Sequence, residues 1–180
     1  MTDNANSAAT GGDHIFFIGF MGAGKTTLAR NLGTMFQRKY VDTDKIISRN
    51  TNMTVREIFE RYGEDEFRKL ETEALASLRN ERSFLVSCGD GIVEVEENFD
   101  LLKELGKVVY LDIDYDGALA KIRSRRHRPL LGEYEETLRL FEHRLPLYKK
   151  AADYSIDIRD MSFKDVANYA GELLWNEGLL

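Results

Sequence analysis

The chain has 180 residues, of which 43% are hydrophobic and 31% charged, and its formal net charge is −6 at pH 7. This length suffices for one domain with a complete core and is short for two. The acidic balance argues against a nucleic-acid partner, because such proteins usually present a basic face. The one cysteine, Cys88, excludes an internal disulfide and is typical of a reducing compartment.

Residues 1–13 are polar and small and lack the basic and apolar regions of a secretory signal, so we expect a disordered tail. No apolar run approaches the roughly 18 residues that a membrane-spanning helix needs. We therefore predict a single domain over residues 14–180, in a cytoplasmic protein that acts as a monomer without a membrane partner.

The first predicted strand leads into the most specific motif of the chain. Residues 15–18 are an uninterrupted apolar run, which is typical of a strand buried on both faces. Residues 19–27 read G-F-M-G-A-G-K-T-T and fit G-x-x-x-x-G-K-[S/T], and an amphipathic helix is predicted to follow to Phe36. In this strand–loop–helix unit, backbone N–H groups and the helix dipole face phosphate oxygens. The motif predicts a nucleoside triphosphate site.

Six residues of this motif are the predicted nucleotide ligands: Gly22, Ala23, Gly24, Lys25, Thr26 and Thr27. Lys25 would place a positive charge near the terminal phosphates, and the Thr26 hydroxyl is placed to bind Mg²⁺.

Two carboxylates, Asp42 and Asp44, follow the second predicted strand at residues 38–42. They stand at the carboxyl end of that strand, where open α/β sheets bind their ligands. The alternative is a helix N-cap with a neighbouring solvated acid. Because the two carboxylates stand beside a phosphate-binding loop, we favour a functional role for them. A helix is predicted to follow from Lys45 to about Asn50.

The next helical region is predicted to contain an ion pair. Residues 54–57 read T-V-R-E, a capping box, and Gly63 is expected to interrupt the helix before it continues from residue 64 to 79. Arg68 and Glu71 are three residues apart and share a helix face, so the acid can hold the guanidinium in one rotamer. A surface ion pair is the alternative that the sequence leaves open.

The rest of the chain continues to alternate strands and helices. Strands are predicted at 84–86, 107–111 and 154–158, and helices at 96–105, 116–124 and from about 135. Pro146 should kink that last helix or end it just after Arg144. A terminal helix is predicted after the cap at Ser162, and its core face comprises Val166, Tyr169, Leu173 and Leu174. Five buried strands alternating with helices predict an α/β fold with three layers, α/β/α, around a five-stranded parallel sheet.

A basic segment interrupts this alternation. Residues 123–128 contain four arginines in a net acidic chain and lack apolar periodicity. We therefore predict a mobile lid over about residues 123–135 that binds an anionic ligand.

The order and spacing of the motifs resemble those of shikimate kinases, which are P-loop small-molecule kinases. The resemblance covers about residues 15–160 and rests on five stretches: 19–27, Asp42-Thr43-Asp44, Gly63 with Phe67-Arg68 and Glu71, Arg128-Pro129-Leu130-Leu131, and Arg144-Leu145-Pro146-Leu147-Tyr148. It implies a P-loop kinase domain in which ATP, with Mg²⁺, phosphorylates the 3-hydroxyl of shikimate under a closing lid.

The resemblance also implies roles around the phosphates. Thr26 would bind Mg²⁺ directly and Asp42 through water, with Lys25 at the transferred phosphate. Arg128 of the lid would reach the same phosphate, and Arg159 or a lid arginine would lie against the adenine.

On the substrate side, the resemblance implies that Asp44 holds the hydroxyls and accepts the proton. Arg68 and Arg144 would bind the substrate carboxylate, with Glu71 orienting Arg68 and with Asp90 and Gly91 beside the substrate. Guanidinium forks suit a planar carboxylate, which explains arginine at both positions.

The chain departs from the family at Gly89-Asp90-Gly91, where shikimate kinases carry three consecutive glycines. Positive φ at Asp90 would cost on the order of 1 kcal/mol. A carboxylate there would also repel a bound carboxylate, and it could capture Arg68 or Arg144. Three interpretations are open: the side chain points away and changes little, it alters which polyol acid is accepted, or it holds a Mg²⁺-bound water. We rank the first slightly ahead.

Three other functions are weighed against this one. The chain lacks the guanine-reading N-K-x-D or T-K-x-D segment of a signalling GTPase. A kinase for gluconate or a nucleoside is disfavoured by the two arginines that suit a carboxylate. A nucleotide-binding module with impaired catalysis because of Asp90 is disfavoured by Lys25, Thr26, Asp42, Asp44 and Arg128.

Overall fold

The computed structural model describes residues 13–123 and 134–180. Its five parallel strands are β1 (His14–Ile18), β2 (Tyr40–Asp42), β3 (Leu85–Ser87), β4 (Gly106–Asp112) and β5 (Tyr154–Asp157), paired in the order β2-β3-β1-β4-β5. The α-helices within these ranges are α1 (Lys25–Met35), α2 (Thr43–Thr51), α3 (Val55–Ser77), α4 (Glu96–Leu105), α5 (Tyr115–Arg123), α6 (Tyr134–Ala151) and α7 (Phe163–Asn176). The predicted parallel five-stranded α/β architecture is confirmed.

The strand order explains the three layers. The chain crosses the sheet in one direction from β1 to β2, and in the other direction from β2 to β3, from β3 to β4 and from β4 to β5. Because such crossovers are right-handed, α1 lies on one face while α3, α4 and α6 lie on the other. The packing agrees, since α7 contacts α1 and α4 contacts α3.

The hydrophobic core is centred on β1, in which every residue is buried. The expectation that all five strands are buried is wrong for the two at the sheet edges. Tyr40 at the start of β2 is 37% exposed, and Ser155 and Asp157 of β5 are also exposed. An edge strand has a neighbour on one side only, so part of it faces solvent.

Two helix predictions are confirmed in α3. Thr54 and Glu57 form the capping box, and Gly63 has non-helical backbone angles of φ 81° and ψ −179°. The prediction that the last long helix ends just after Arg144 is wrong, because α6 continues through Pro146 to Ala151 with the side chains of Arg144 and Tyr148 buried. The alternative, a kink at Pro146, stays a prediction.

On α7 the predicted core residue Tyr169 is 51% exposed. The buried face passes instead through Ala167, Ala170 and Gly171. A Cβ added at Gly171 would lie 3.2 Å from the Phe36 ring beside α1. Small residues let α7 approach α1 closely, and this turns Tyr169 outward.

Two predicted segments lie wholly or mostly outside the described residues: the tail at 1–13 and the lid at 123–135, which includes Arg128. Both stay predictions. No helix within residues 13–123 and 134–180 has the length and apolar character needed to cross a membrane.

Candidate active site

The carboxyl ends of three neighbouring strands bring the predicted site residues together. β1 leads into the phosphate-binding loop at residues 19–24, β2 ends at Asp42, and β3 ends at Ser87 before Gly89-Asp90-Gly91. The sheet register pairs Ser87 with both Phe17 and Asp42. These loops therefore all lie at the carboxyl end of the sheet, where parallel α/β proteins bind ligands.

The phosphate-binding loop has the expected geometry. Gly22 and Gly24 have φ values of 86° and 91°, a region that side chains with a Cβ disfavour. Gly24 is also the N-cap of α1, and Ala23 between the two glycines is buried. The Lys25 Nζ donates to the carbonyl oxygens of Gly19 at 2.6 Å and Phe20 at 3.2 Å. The ammonium thus lies against the loop at a helix N-terminus, an arrangement that attracts anions.

Three oxygen-bearing side chains meet beside this loop. The Thr26 Oγ1 donates to Asp42 Oδ2 at 2.8 Å, and it lies 3.0 Å from Ser87 Oγ. The other Asp42 oxygen accepts a hydrogen bond from the Asp44 backbone N–H at 3.1 Å, which caps α2. Asp42 therefore serves both as the N-cap that we weighed as an alternative and as the partner of Thr26. Ser87 is a member of the cluster that the sequence reasoning missed, although its place at a strand end was a signal.

Asp44 and Glu71 converge on one backbone position. A Cβ added at Gly89 would lie 2.8 Å from Asp44 Oδ1 and 2.7 Å from Glu71 Oε1, so only glycine fits there. Glu71 is fully buried. Burial raises the pKa of Glu71 to about 7, and the carboxylates of Asp44 and Asp90 act in the same direction against the ion pair with Arg68. This end of the pocket is therefore rich in negative charge.

Arg68 is held by two acids of its own helix. Its Nη1 donates to Glu71 Oε2 and its Nη2 to Glu64 Oε1, the latter at 2.6 Å. The Arg68 side chain is only 11% exposed, so the surface ion pair left open by the sequence is wrong. A Cβ at Gly91 would overlap the guanidinium, which explains glycine at that position.

Arg144 is buried and bound by acids from the β3 loop. It is 1% exposed, its Nη1 donates to Asp90 Oδ2 at 2.8 Å, and its Nε donates to Glu94 Oε1 at 2.6 Å. Burial by itself would lower the pKa of Arg144, but the two carboxylates raise it above the ordinary value. Arg144 binds Asp90 and Arg68 lies against Gly91, so the two guanidiniums contact neighbouring residues of one loop.

The interpretation that the Asp90 side chain points away is wrong, because its carboxylate binds Arg144. A buried guanidinium attracts a nearby carboxylate strongly at low dielectric. The expected backbone strain is also wrong, since Asp90 is not among the described residues with positive φ. At the end of β3, the side chain that contacts Thr26 is that of Ser87. The interpretation in which Asp90 holds a Mg²⁺-bound water therefore gains no support.

The other end of the loop carries an aromatic side chain that the sequence reasoning missed. A Cβ at Gly24 would lie 2.7 Å from the ring of Phe163, which is 42% exposed. The Lys121 Nζ lies 5.2 Å from the centroid of that ring. Arg159, predicted at the adenine, is exposed and donates to Asp157 Oδ1 at 2.8 Å. The signal for Phe163 was an apolar residue directly after the cap at Ser162.

The phosphate-binding loop, the buried carboxylate of Glu71 and the buried arginines Arg68 and Arg144 together define a P-loop kinase that acts on a small molecule. A sequence model described as shikimate kinase matches residues 21–174. The shikimate kinase of Vibrio parahaemolyticus is 37% identical over 164 residues, which cover 89% of this chain and 95% of that protein. The shikimate kinase of a Marinomonas species is 41% identical over 160 residues, which cover 86% and 88%.

Solved structures agree with these relatives. The shikimate kinase of Acinetobacter baumannii in complex with shikimate has a TM-score of 0.86 and 33% identity, covering 93% of this chain and 95% of that one. A gluconokinase from Sinorhizobium meliloti has a TM-score of 0.56 and 12% identity over 94% of this chain and 95% of that one, which shows the fold alone. The chain belongs to the shikimate kinase family. It is an ATP-dependent small-molecule kinase, and the resemblance seen in its motifs is confirmed.

Proposed function

We propose that this chain transfers the terminal phosphoryl group of ATP to the 3-hydroxyl of shikimate, giving shikimate 3-phosphate for aromatic amino acid biosynthesis. The observation that carries the proposal is a pair of buried guanidiniums at one loop: Arg144 binds Asp90 and Arg68 lies against Gly91. The carboxylate of Asp44 faces Gly89 of the same loop. Family membership and the shikimate complex of the Acinetobacter baumannii relative support it.

Phosphoryl transfer requires alignment and charge neutralisation more than covalent help. Lys25 supplies positive charge at the loop that holds the phosphates. Asp44 would orient the attacking hydroxyl and accept its proton, because its carboxylate lies at the substrate end of the same edge. Arg128, outside the described residues, would complete the charge around the transferred phosphate.

The residues beside the loop fit Mg²⁺. Thr26 and Asp42 present oxygen atoms 2.8 Å apart, and Mg²⁺ prefers oxygen ligands. No group of three or more His, Cys, Asp or Glu in the described part of the chain could hold a metal. Mg²⁺ is usually bound by one or two carboxylates together with substrate phosphates and water, so a hydroxyl and one carboxylate beside the phosphate-binding loop suit it. When bound, Mg²⁺ would neutralise phosphate charge; we propose Thr26 as a direct ligand and Asp42 as one acting through water.

The two arginines would bind the carboxylate of shikimate through paired N–H donors. Glu71 acts as a positioning residue for Arg68, since its carboxylate accepts from Nη1 and leaves the guanidinium over Gly91. Two arginines rather than lysines suit this role because the guanidinium matches a planar carboxylate.

We assign the adenine to the region around Phe163. Its exposed ring lies against Gly24 of the phosphate-binding loop, and aromatic faces stack on bases. Arg159 follows β5 at the same edge of the sheet and stays a candidate contact.

An ADP-release assay with shikimate, gluconate and nucleosides as acceptors tests the proposal. We expect turnover with shikimate and Mg²⁺; turnover with gluconate or a nucleoside instead would refute the substrate assignment. We also propose a cytoplasmic monomer; the buried unpaired Cys88 is typical of a reducing compartment. Light scattering after size exclusion tests the monomer.

A further inference from the structure

We propose that Asp90 is a specificity-determining residue whose carboxylate competes with the carboxylate of the substrate for Arg144. The inference rests on the proposed function, in which Arg144 binds that substrate carboxylate. It predicts that this chain binds shikimate less tightly, and selects carboxylated substrates less strictly, than the same site would with a neutral residue at position 90.

The guanidinium of Arg144 is already engaged at two of its three nitrogens. Asp90 accepts from Nη1 at 2.8 Å and Glu94 accepts from Nε at 2.6 Å. A carboxylate that binds in a bidentate manner needs two adjacent nitrogens of the fork. Both adjacent pairs, Nε with Nη2 and Nη1 with Nη2, contain a nitrogen that one of these acids holds. A substrate carboxylate must therefore share or displace an internal one.

Of the two acids, Asp90 is the one that lies on the substrate side. It stands between Gly89, which faces Asp44 Oδ1 and Glu71 Oε1, and Gly91, which lies against the Arg68 guanidinium. Glu94 instead accepts a second hydrogen bond from the exposed His143, with 3.0 Å between Oε2 and Nε2. Asp90 is thus the acid that competes with the substrate carboxylate for Arg144. Glu94 supports Arg144 from the side of His143.

The backbone keeps Asp90 opposite Arg144. The buried Tyr148 donates from its hydroxyl to the Asp90 carbonyl oxygen at 2.5 Å, and the Gly89 N–H donates to Thr43 Oγ1 at 2.8 Å. The Tyr148 ring is itself stacked on Tyr110. Because both sides of the loop are tied to buried groups, the Asp90 carboxylate can leave Arg144 only by rotation of its own side chain.

The carboxylates of Asp90 and Glu94 also repel a third carboxylate, that of the substrate, when it approaches Arg144. Arg144 is 1% exposed and already balanced by two carboxylates, so an added substrate carboxylate meets repulsion that is poorly screened. Neutralising Asp90 removes that repulsion and replaces a charge-assisted hold on Nη1 with, at most, a weaker neutral hydrogen bond. The gain in substrate affinity should appear only for a charged substrate. A neutral ester competes less strongly for Arg144 and is not repelled by the two carboxylates.

The test compares the unsubstituted protein with Asp90→Asn, which keeps the shape of the side chain and removes its charge. Asp90→Gly is the second variant, in case the amide binds Arg144 differently. Asp100→Asn, an exposed acid on α4, is the matched control for the loss of one negative charge. Each protein is assayed with shikimate and with its neutral methyl ester, and a melting curve confirms folding.

We expect both Asp90 variants to lower KM for shikimate by about tenfold, the size of one charge-assisted contact. KM for the ester and for ATP should change less than about twofold, and the control should match the unsubstituted protein. An unchanged or raised shikimate KM overturns the inference, as do equal shifts for acid and ester or a complete lack of ester turnover by the unsubstituted protein. Absence of shikimate turnover in every protein overturns the proposed function as well, so the two failures are distinguishable.

Discussion

The hydroxyl of Thr26 donates a hydrogen bond to Asp42 across 2.8 Å, and this contact joins the first turn of α1 to the N-cap of α2. Both oxygens of Asp42 are engaged, one by Thr26 and the other by the Asp44 backbone N–H. The carboxylate is thereby held in one orientation, and its hydrogen bond from the Asp44 N–H sets the start of the helix that carries Asp44. The proposed nucleotide side and the proposed substrate side of the site are thus linked through the side chain of Asp42.

Lys25→Ala should lower kcat by about 10²–10³ or more, because it removes a positive charge from the transferred phosphate. The protein should stay folded, since the lost contacts are to loop carbonyls rather than to the core. Steady-state kinetics measures kcat, and circular dichroism measures whether the protein stays folded. Lys103→Ala, at an exposed position of α4, is the control. Near-normal turnover by Lys25→Ala would refute the role of the loop in phosphate binding.

Asp44→Asn should keep KM for shikimate within about threefold and lower kcat by roughly 10²–10⁴, because an amide cannot accept the hydroxyl proton. Asp65→Asn, an exposed acid of α3, removes the same charge elsewhere. A raised KM with unaltered kcat would reduce Asp44 to a binding role.

Arg68→Ala should raise KM for shikimate by about 10- to 100-fold, the cost of losing a charge-assisted carboxylate contact. KM for ATP should move much less. Arg68→Lys keeps the charge without the fork, and we expect an intermediate value. If the two Michaelis constants rise together in Arg68→Ala, the arginine is structural and the assignment of the carboxylate site fails.

Glu71 should make stability fall as pH rises from about 4.5 to 7. Burial raises its pKa to about 7 from the ordinary 4.5, so in this window the unfolded chain releases the proton before the folded chain does. The folded state then binds more protons, and the stabilisation present below pH 4.5 is lost as pH passes the folded pKa. The effect is on the order of 1–3 kcal/mol for a fully buried carboxyl.

Melting temperatures of Glu71→Gln measured from pH 4.5 to 8 check this. We expect a flatter profile than that of the unsubstituted protein, while Glu73→Gln, an exposed acid on the same helix, should leave the profile unaltered. Parallel profiles for Glu71→Gln and the unsubstituted protein would show that Glu71 does not titrate in this range.

Phe163→Ala should raise KM for ATP by about tenfold and leave KM for shikimate unchanged, because a base that stacks on an aromatic ring loses roughly 1–3 kcal/mol without it. Tyr169→Ala, which removes another exposed ring from α7, is the matched control. Equal effects of the two substitutions would place the adenine elsewhere.

The features predicted correctly from the sequence are those that local chemistry determines. The glycines of the phosphate-binding loop, the capping box at Thr54 and the interruption at Gly63 each depend on backbone preferences within a few residues. The parallel sheet follows from alternating apolar strands and amphipathic helices. The ion pair of Arg68 with Glu71 was predictable for the same reason, since helical spacing brings them to one face.

Only the tertiary structure decided what lies between distant segments. Asp90 and Arg144 are 54 residues apart, and no local preference indicates that a β3 loop and the middle of α6 meet. Phe163 reaches Gly24 through the packing of α7 on α1, and Ser87 reaches Thr26 through the sheet register. The partner of a charged side chain in a buried site depends on which groups the whole fold places nearest to it, because Coulomb attraction at low dielectric then selects among them.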